Sequence, residues 1–384
     1  SNLLDNHQEE ILKALRDDLK KPPTEALFEI IAIKQEIKLA QKNLSNWMKS
    51  KQINVPVSLK PAKAFVQPDP LGCVLIIGPW NYPFSLTLQP LVGALSAGNT
   101  AVLKPSEHAP HVSNLIKKLI EKYFPPNITQ VIEGDGDVAA ALMTQQFDHV
   151  FFTGGENIGK KVMESAAKNL IPVTLELGGK SPALVIDGAN LEVTANRILW
   201  GKSLNAGQTC IAPDHLLVEN KLYDSLISKL KKSINNFYGN SPLGSQHLGS
   251  IINQKQFKRL TFLLKQAKDN GQIIYGGEFN ESENRISPTL IKIENRKDPL
   301  MQEELFGPLL PILCIKNIEE VISDFKSLPK PLAIYLFGGD EKDQEKILTM
   351  TSSGGVCFND VVLQAGIPEL PFGGVGSSGM GKYH

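Results

Sequence analysis

Short apolar runs alternate with amphipathic stretches along most of this chain, and this alternation predicts its secondary structure. In the first half, the apolar runs cover residues 74–77, 100–103, 128–132, 149–152 and 173–176. Helical periodicity lies between them, over residues 111–123, 138–145 and 158–168. Strands that are apolar on both faces belong to parallel sheets covered by helices, so the pattern predicts an α/β fold.

A second alternating set follows in the other half of the chain. It begins near Ala183 and continues through residues 216–218, 273–275, 309–315 and 333–337. Because 384 residues exceed one ordinary domain, we predict two doubly wound α/β domains that meet near residues 178–182. The first would comprise residues 1–50 and 72–178, with its N-terminal helices, and the second residues 179–384.

The first fifty residues are predicted to be helical. An apolar stripe with lysines and glutamates between its members recurs at steps of three and four: Ile30, Ile33, Ile37, Ala40, Leu44 and Trp47. A coiled coil remains open, but a core helix is favoured because the stripe spans only about three heptads. Pro22-Pro23 separates it from an earlier helix, and four prolines in residues 51–71 predict an extended arm.

Composition narrows the class of protein. Forty basic and forty acidic residues cancel, so no excess of positive charge favours nucleic acid or an anionic membrane. No apolar run approaches the roughly 20 residues of a membrane span, and the N-terminus carries no signal-peptide pattern. We therefore expect an intracellular, cytoplasmic chain. We also expect no metal site, because no cluster of metal-ligating residues is apparent.

One of the four cysteines stands apart from the others. Cys73, Cys314 and Cys357 lie in apolar, strand-like runs, where a small buried residue is the expected role, whereas Cys210 follows Gly207-Gln208-Thr209 in a predicted loop. The scattered spacing indicates reduced thiols. A loop thiol could be a nucleophile, and the carboxylate of Glu176 and the amide of Asn81 would supply a base and an oxyanion donor.

Three glycine patterns compete as nucleotide-binding loops. Residues 154–160 have the letters of a phosphate loop, but Lys161 stands where Ser or Thr would bind magnesium, and residues 374–379 follow no strand–helix unit. Residues 134–139 are better placed for a dinucleotide, because they lie between a predicted strand and a predicted helix. The turn Gly154–Gly159 joins a predicted strand to a predicted helix, so the N–H groups at the helix N-terminus could bind a pyrophosphate. The alternative is that this segment is only a glycine turn.

The motifs together resemble the aldehyde dehydrogenase superfamily, most closely class 3 or fatty aldehyde dehydrogenases. They occur in the family's order: Pro79-Trp80-Asn81-Tyr82-Pro83, Leu103-Lys104-Pro105-Ser106-Glu107, Phe152-Thr153-Gly154, residues 175–182, residues 207–210, Glu303-Glu304-Leu305-Phe306-Gly307-Pro308 and Leu370-Pro371-Phe372-Gly373-Gly374. Trp200-Gly201-Lys202 and the ending Ser378 to His384 are typical of the class. The resemblance implies a Rossmann-like cofactor domain, a catalytic domain and a small bridging element for oligomerisation.

The resemblance also implies roles for individual residues. Cys210 would attack the aldehyde, Asn81 would hold the oxyanion and Glu176 would activate the water that hydrolyses the thioester. The NAD(P) site would be formed by Lys104 and Glu107 on the adenosine ribose, Glu304 and Phe306 at the nicotinamide end, and Trp80, Gly154, Gly155 and Ile158 at the pyrophosphate. Several of these side chains could equally be solvated charges or core aromatics.

Cofactor and substrate follow from the same resemblance. Glu107 favours NAD because its carboxylate would repel a 2′-phosphate, with use of NADP left open. Tyr82, Trp200 and Leu204 would line an apolar funnel for long aliphatic, aromatic or polyene aldehydes, and no arginine adjoins these motifs to bind a substrate carboxylate. The alternative for all three is a place in the core.

Members of the class usually begin earlier and end later than this chain. The resemblance therefore implies that a C-terminal bridging tail is missing, which leaves the expected homodimer and a peripheral membrane attachment open. A cysteine hydrolase would use the same nucleophile but requires a histidine partner, for which His108, His111 and His215 give no clear candidate. We predict an NAD(P)-dependent aldehyde dehydrogenase.

Overall fold

Two largely parallel β-sheets organise residues 1–383, the part of the chain that the structure, a computed structural model, describes. The helices are α1 (Asn2–Asn6), α2 (Gln8–Leu19), α3 (Pro23–Trp47), α4 (Ser85–Ser96), α5 (Pro110–Tyr123), α6 (Gly136–Leu142), α7 (Glu156–Ala167), α8 (Leu191–Ser203), α9 (Tyr223–Tyr238), α10 (Gln254–Asp269), α11 (Ile318–Phe325) and α12 (Glu341–Met350). His384, the last residue of the class-typical ending, lies outside the described residues.

The strands follow the predicted alternation closely. They are β1 (Lys51–Ile53), β2 (Ala64–Val66), β3 (Cys73–Ile77), β4 (Thr100–Lys104), β5 (Thr129–Val131), β6 (His149–Thr153), β7 (Val173–Glu176), β8 (Pro182–Val185), β9 (His215–Glu219), β10 (Ile273–Tyr275), β11 (Phe279–Asn280), β12 (Arg285–Ile286), β13 (Thr289–Ile293), β14 (Leu309–Ile315), β15 (Ala333–Phe337), β16 (Gly355–Phe358) and β17 (Gly379–Met380). Every predicted apolar run is a strand. The prediction missed β13 and β16, although Leu290 and Ile291 of β13 are fully buried, and it also missed the two- and three-residue strands β1, β2, β11, β12 and β17.

The first sheet has the strand order β17-β7-β6-β3-β4-β5, and β3 to β7 are parallel. Its central strand β3 has β4 on one side and β6 on the other, so the chain changes direction across the sheet at this point. Such a switch opens a crevice at the carboxyl ends of the strands, where nucleotides bind in this class of sheet. The apolar side chains of β3 are buried on both faces, because helices cover both sides.

The second sheet has the order β10-β13-β14-β9-β8-β15-β16, and only β10 is antiparallel to its neighbour within the described residues. The loop with Cys210 connects α8 to β9 of this sheet. The α/β architecture with parallel sheets agrees with the predicted fold class. The predicted domain boundaries themselves stay a prediction.

The end of the chain returns to the first sheet. Strand β17 pairs antiparallel with β7, placing Gly379 opposite Glu176, and Phe372 and Tyr383 exchange two main-chain hydrogen bonds of 2.9 Å. The ring of Tyr383 packs edge-on against Phe151 at 5.4 Å. Residues far along the chain therefore close the sheet edge beside Glu176.

The N-terminal helices pack as core helices, as the apolar stripe predicts. Helix α3 contacts α2 and α4, and Ile30 and Ile33 are buried. Two details differ from the prediction: Trp47, at the end of the stripe, is 49% exposed, and Glu29, expected on the polar face, is buried. Burial of this carboxylate is explained by its partners, which are described below.

Residues 51–71 are extended except for a 3-10 turn at Val57–Leu59, in agreement with the prolines of this segment. Strands β1 and β2 pair antiparallel with each other, and their side chains are exposed. Large apolar side chains lie in the open here, with Val57 79% and Phe65 67% exposed. Whether the segment bridges to another subunit stays a prediction.

Candidate active site

Most of the predicted site residues lie at the carboxyl ends of the strands of the first sheet. Trp80 and Asn81 follow β3, Lys104 ends β4, Gly154 follows β6 and Glu176 ends β7. Parallel strands all end at the same edge of a sheet. Residues that follow different strands therefore lie close together in the fold, although they are far apart along the chain. The crevice at the switch point therefore contains side chains from four separate motifs.

The loop before Cys210 has an unusual backbone. Asn205 and Ala206 take the left-handed conformation with φ of 52° and 53°, which is costly for residues other than glycine. Gly207 follows with φ of 79°, and a β-carbon there would lie 2.3 Å from the carbonyl oxygen of Gly307. The turn therefore requires glycine at this position, and it is stabilised by hydrogen bonds from Gln208 to the carbonyls of Asn205 (2.9 Å) and Ser250 (3.0 Å).

Cys210 is half-buried at the end of this turn. Burial, and then the neighbouring carboxyls of Glu304 and Glu176, raise the pKa of the Cys210 thiol to about 12. The main-chain N–H groups of Cys210 and Ile211 oppose this by hydrogen bonding to the sulfur. In the protein alone, the thiol is thus protonated at neutral pH.

The Asn81 side chain is directed toward the Cys210 turn. Its Nδ2 donates to the carbonyl oxygen of Gln208 at 3.1 Å, and the side chain of Asn205 donates to the carbonyl of Asn81 at 2.8 Å. Asn81 is 4% exposed. An amide N–H that is held this close to the nucleophile loop is a suitable donor for an oxyanion formed there.

Glu176 is a buried carboxyl group. It is 3% exposed, and no group among residues 1–383 forms a hydrogen bond with either of its carboxyl oxygens. Burial alone raises the pKa of Glu176 to about 9. The charge of Glu176 is one cause of the raised pKa of Cys210, although Glu176 ends β7 of the first sheet and Cys210 lies in the loop before β9 of the second.

Lys104 and Glu107 form an ion pair at the carboxyl end of β4, with 2.9 Å between Nζ and Oε2. The lysine is 2% exposed, whereas the glutamate reaches solvent. Burial raises the pKa of Glu107, but hydrogen bonds from its own main chain and from Lys104 outweigh this and leave the pKa below its ordinary value. The pair presents a carboxylate and an ammonium to the crevice.

Two aromatic rings from distant motifs meet above the crevice. The rings of Trp80 and Phe306 pack edge to face with centroids 5.2 Å apart. Glu304, on the same segment as Phe306, lies against the backbone after β7: a β-carbon at Gly178 would be 2.2 Å from its Oε2. Burial, followed by the charge of Asp214, raises the pKa of Glu304 to about 8.

Helix α7 begins at the crevice directly after β6. In the described chain, no side chain caps its first turn, where Gly155 is the N-cap residue, and a β-carbon at Gly155 would meet open space. Ile158 in this turn is 51% exposed. Free N–H groups at a helix start favour an anion, and the exposed side chain offers an apolar contact.

A charged clamp that the sequence did not indicate holds the segment that carries Glu304. Lys180 forms an ion pair with Asp214 and donates to the carbonyls of Leu300 and Glu303, both at 2.9 Å. Asp214 accepts the N–H of Leu305 at 2.8 Å. In the sequence, Lys180 lies inside the motif of residues 175–182 with no predicted role, and Asp214 follows Cys210 by four residues with no predicted role.

The predicted substrate residues fall into two places. The hydroxyl of Tyr82 lies 2.7 Å from that of Thr209, which donates to the carbonyl of Leu204 at 3.3 Å, so these residues adjoin Cys210. Trp200 instead lines a mainly apolar cavity of about 320 Å³. Its other lining residues are Asn196, Arg197, Phe237, Asp360 and Leu363.

Arg197 corrects one expectation from the sequence, because an arginine does adjoin the Trp200 motif, one helical turn earlier on α8. Its Nε lies 3.3 Å from Oδ2 of Asp360, and it also donates to the carbonyl of Asn359. The guanidinium is therefore already paired with a carboxylate at the cavity rim.

No group of three or more His, Cys, Asp or Glu side chains in residues 1–383 could hold a metal ion. None of the described helices is both long and apolar enough to cross a membrane.

The chain is similar in sequence to proteins of a known family. The aldehyde dehydrogenase family model matches residues 1–384. The chain is 46% identical to 4,4′-diaponeurosporen-aldehyde dehydrogenase of Staphylococcus aureus, covering 100% of this chain and 83% of that protein. It is 44% identical to aldehyde dehydrogenase family 3 member H1 of Arabidopsis thaliana, over 100% of this chain and 79% of the relative. The dimeric NADP-preferring aldehyde dehydrogenase of Rattus norvegicus is 42% identical, over 100% and 84%.

Solved structures agree with the sequence relatives. The substrate-bound state of Staphylococcus aureus AldH superimposes with a TM-score of 0.97 at 45% identity, covering 100% of this chain and 83% of that one. An NAD-dependent aldehyde dehydrogenase from Sinorhizobium meliloti gives a TM-score of 0.90 at 28% identity, over 99% and 76%. The predicted resemblance, fold class and enzyme class are confirmed. The chain belongs to the aldehyde dehydrogenase family, with class 3 enzymes among its close relatives, and is an NAD(P)-dependent oxidoreductase.

Proposed function

We propose that Cys210 is the nucleophile in the NAD(P)-dependent oxidation of an aldehyde to a carboxylic acid, with Asn81 as oxyanion donor and Glu176 as general base. The observation that carries this proposal is the buried Glu176 carboxyl, which forms no hydrogen bond within residues 1–383 and yet acts on the pKa of Cys210. A buried carboxyl without partners is costly for stability, and such costs are typical of catalytic sites.

The proposed reaction begins at the sulfur. After the Cys210 thiol loses its proton to water, the thiolate adds to the aldehyde carbon, forming a carbon–sulfur bond and moving an electron pair onto oxygen, where the amide of Asn81 and the N–H of Cys210 stabilise it. Loss of a hydride from that carbon restores the carbonyl as a thioester. Water then adds to the thioester, Glu176 accepts the proton from water, and cleavage of the carbon–sulfur bond releases the acid.

The environment of Glu176 suits the second half of this reaction. At a pKa of about 9 the carboxyl is mostly protonated at neutral pH, so the fraction able to act as a base grows as the pH rises. A base with a high pKa is also a stronger proton acceptor once ionised. We therefore expect thioester hydrolysis to be faster in mildly alkaline solution.

The residues of the crevice suit a dinucleotide. Lys104 and Glu107 would bind the adenosine ribose, and Glu304 the nicotinamide ribose beside Phe306. Trp80, Gly154, Gly155 and Ile158 would surround the pyrophosphate, for which the uncapped first turn of α7 supplies N–H donors. When bound, NAD(P) supplies a positively charged ring and accepts the hydride.

We propose NAD as the preferred form, with NADP also accepted. The Glu107 carboxylate would accept hydroxyl donors of a ribose and repel a 2′-phosphate. The nearby Lys104 ammonium, 2.9 Å from this carboxylate, would offset part of that repulsion. One relative is named as NADP-preferring. The ratio of activity with NAD to activity with NADP therefore measures how the two charges balance.

The proposed substrates are medium- to long-chain aliphatic, aromatic or polyene aldehydes. Trp200, Phe237 and Leu363 give the cavity of about 320 Å³ an apolar lining. The charge of Arg197 is compensated by Asp360, so it offers little to a substrate carboxylate. One relative is named for a polyene aldehyde, in keeping with this choice.

The test is the appearance of reduced nicotinamide, followed by absorbance, with NAD or NADP and a panel from acetaldehyde to hexadecanal, benzaldehyde and retinal. We expect turnover that rises with chain length and is lost in Cys210→Ala. Reduction that persists in Cys210→Ala would contradict the proposed nucleophile, and a preference for acetaldehyde would contradict the proposed substrate class.

We also propose that the protein forms a homodimer. One relative is named as dimeric, and the exposed apolar side chains of residues 51–71 offer a surface for association. Light scattering at micromolar concentration tests this, since a monomeric mass would refute it. The cytoplasmic location stays a prediction.

A further inference from the structure

A fully buried cation lies beneath the loop that carries Asn81. Lys21, between α2 and α3, is 1% exposed, and its Nζ lies 2.6 Å from Oε1 of Glu29. The same Nζ donates to the carbonyl oxygen of Asn81 at 3.0 Å and sits 4.1 Å from the centre of the Tyr82 ring. Burying an ammonium is costly unless several partners compensate it, and here one of those partners is the main chain of Asn81.

The partner carboxylate holds the other end of the same loop. Oε2 of Glu29 accepts the N–H groups of Phe84 at 3.0 Å and Ser85 at 2.9 Å, and the Ser85 hydroxyl at 3.3 Å. It thereby caps the first turn of α4. Lys21 and Glu29 together hold residues 81–85 at both ends.

The Asn81 carbonyl also connects this pair to the nucleophile loop. Besides Lys21, it accepts the side chain of Asn205 at 2.8 Å, and that side chain also lies 3.3 Å from the carbonyl of Gln208. The main-chain N–H of Asn205 is in turn held by Glu25 at 2.7 Å. The oxyanion donor and the turn before Cys210 therefore share one buried network that begins on the N-terminal helices.

We infer that Lys21 is a positioning residue for the oxyanion donor: its ammonium fixes the main chain of Asn81 so that the amide is held toward Cys210. This inference rests on the proposed role of Asn81. An oxyanion donor is effective only when it is held in place before the reaction, and a displacement of about 1 Å can lower a rate about a hundredfold. Without Lys21, the one remaining donor to the Asn81 carbonyl within residues 1–383 is the side-chain amide of Asn205, which is shared with the carbonyl of Gln208.

The test uses a reaction that needs the thiol and the oxyanion donor but no nucleotide. Cys210 attacks 4-nitrophenyl acetate, nitrophenolate leaves, and water hydrolyses the acetyl thioester. In Lys21→Met we expect the release of nitrophenolate to slow about tenfold to a hundredfold. Alkylation of Cys210 by iodoacetamide forms no oxyanion, so its rate, followed on the Cys210 peptide by mass spectrometry, should change less than about twofold.

A double-mutant cycle separates positioning from a general effect on structure. If Lys21 acts through Asn81, Lys21→Met should have no further effect on ester hydrolysis in an Asn81→Ala background. Independent, multiplicative effects of the two substitutions would overturn the inference. An equal loss of iodoacetamide reactivity would overturn it too, because it would show that the whole site is disturbed.

Two further variants keep the test decisive. Lys21→Met with Glu29→Gln removes both buried charges but retains an acceptor for the N–H groups of Phe84 and Ser85, and it replaces the single variant if that one does not fold. Leu264→Ala, in the core of the second sheet, is the control for lost stability and should hydrolyse the ester normally. If Asn81→Ala alone leaves hydrolysis unchanged, the proposed oxyanion role fails, and the assignment of Lys21 fails with it.

Discussion

The pKa of Glu176 makes a prediction about stability that is independent of activity. Its pKa is about 9 in the folded protein and 4.5 when the side chain is free in solution. Below pH 4.5 the group is protonated in both states. Between these two values the unfolded chain has lost the proton that the folded protein keeps, so stability falls as the pH rises toward 9.

The size of the effect follows from the same two values. At pH 7.5 an ionised Glu176 must take up a proton on folding, which at about 1.4 kcal/mol for each pH unit above 4.5 costs on the order of 4 kcal/mol. Glu176→Gln has nothing to titrate. We expect the variant to gain stability relative to the parent protein by about 1.4 kcal/mol per pH unit through this range.

The assay is urea unfolding of both proteins from about pH 5 to about pH 9, with the difference in free energy of unfolding plotted against pH. The other titrating groups are common to both proteins, and Cys210, whose pKa of about 12 depends partly on Glu176, stays protonated in the folded protein over this range, so their contributions largely cancel in that difference. Glu164→Gln, at an exposed position of α7, is the matched control and should follow the parent protein. Parallel curves for Glu176→Gln and the parent would refute the claim that burial penalises this carboxylate.

Four other substitutions test separate parts of the site. Cys210→Ala should abolish formation of reduced nicotinamide while leaving the dissociation constant for NAD, measured by calorimetry, within about twofold; weakened NAD binding would contradict this. Asp214→Asn should loosen the segment with Glu304 and raise KM for NAD about tenfold with little change in ester hydrolysis; equal losses in both would count against it. Gly207→Ala should abolish ester hydrolysis, because its β-carbon would strike Gly307 at 2.3 Å; near-normal rates would exclude that clash. Trp200→Ala should reduce kcat/KM for hexadecanal more than for acetaldehyde, and an equal reduction would remove Trp200 from the substrate path.

The proposed role of Glu176 as general base also predicts how the acyl-enzyme behaves during turnover. With Glu176→Gln, water is no longer deprotonated at the thioester, so the acyl group should remain on Cys210 after one turnover. Mass spectrometry of the intact protein would then show the added mass of the acyl group. An unmodified protein with normal turnover would contradict the role of Glu176 as base.

Local sequence was sufficient for most strands of the two large sheets, and its motifs indicated the family and a hypothesis for the site. Each apolar run that was bounded by turn residues became a strand, because a strand with both faces buried needs an uninterrupted apolar segment whatever its neighbours are. The motifs around Asn81, Glu176 and Cys210 indicated their roles through resemblance. The missed strands of the second sheet, β13 and β16, follow Pro288 and Gly354, which weakened the local pattern.

Tertiary structure alone decided which charges are buried and which distant groups meet. Lys21 and Glu29 look like solvated charges of a helical region, yet they are fully buried, since burial depends on what packs above a residue and not on its neighbours in the chain. The contact between Trp80 and Phe306, the pairing of Gly379 with Glu176 and the clamp formed by Lys180 and Asp214 join residues that are far apart in sequence. The sequence by itself therefore determined the family and the proposed reacting groups, whereas the packing of the two sheets and the N-terminal helices determined their orientation and their pKa values, because both depend on the removal of water and on charges that come together only in the fold.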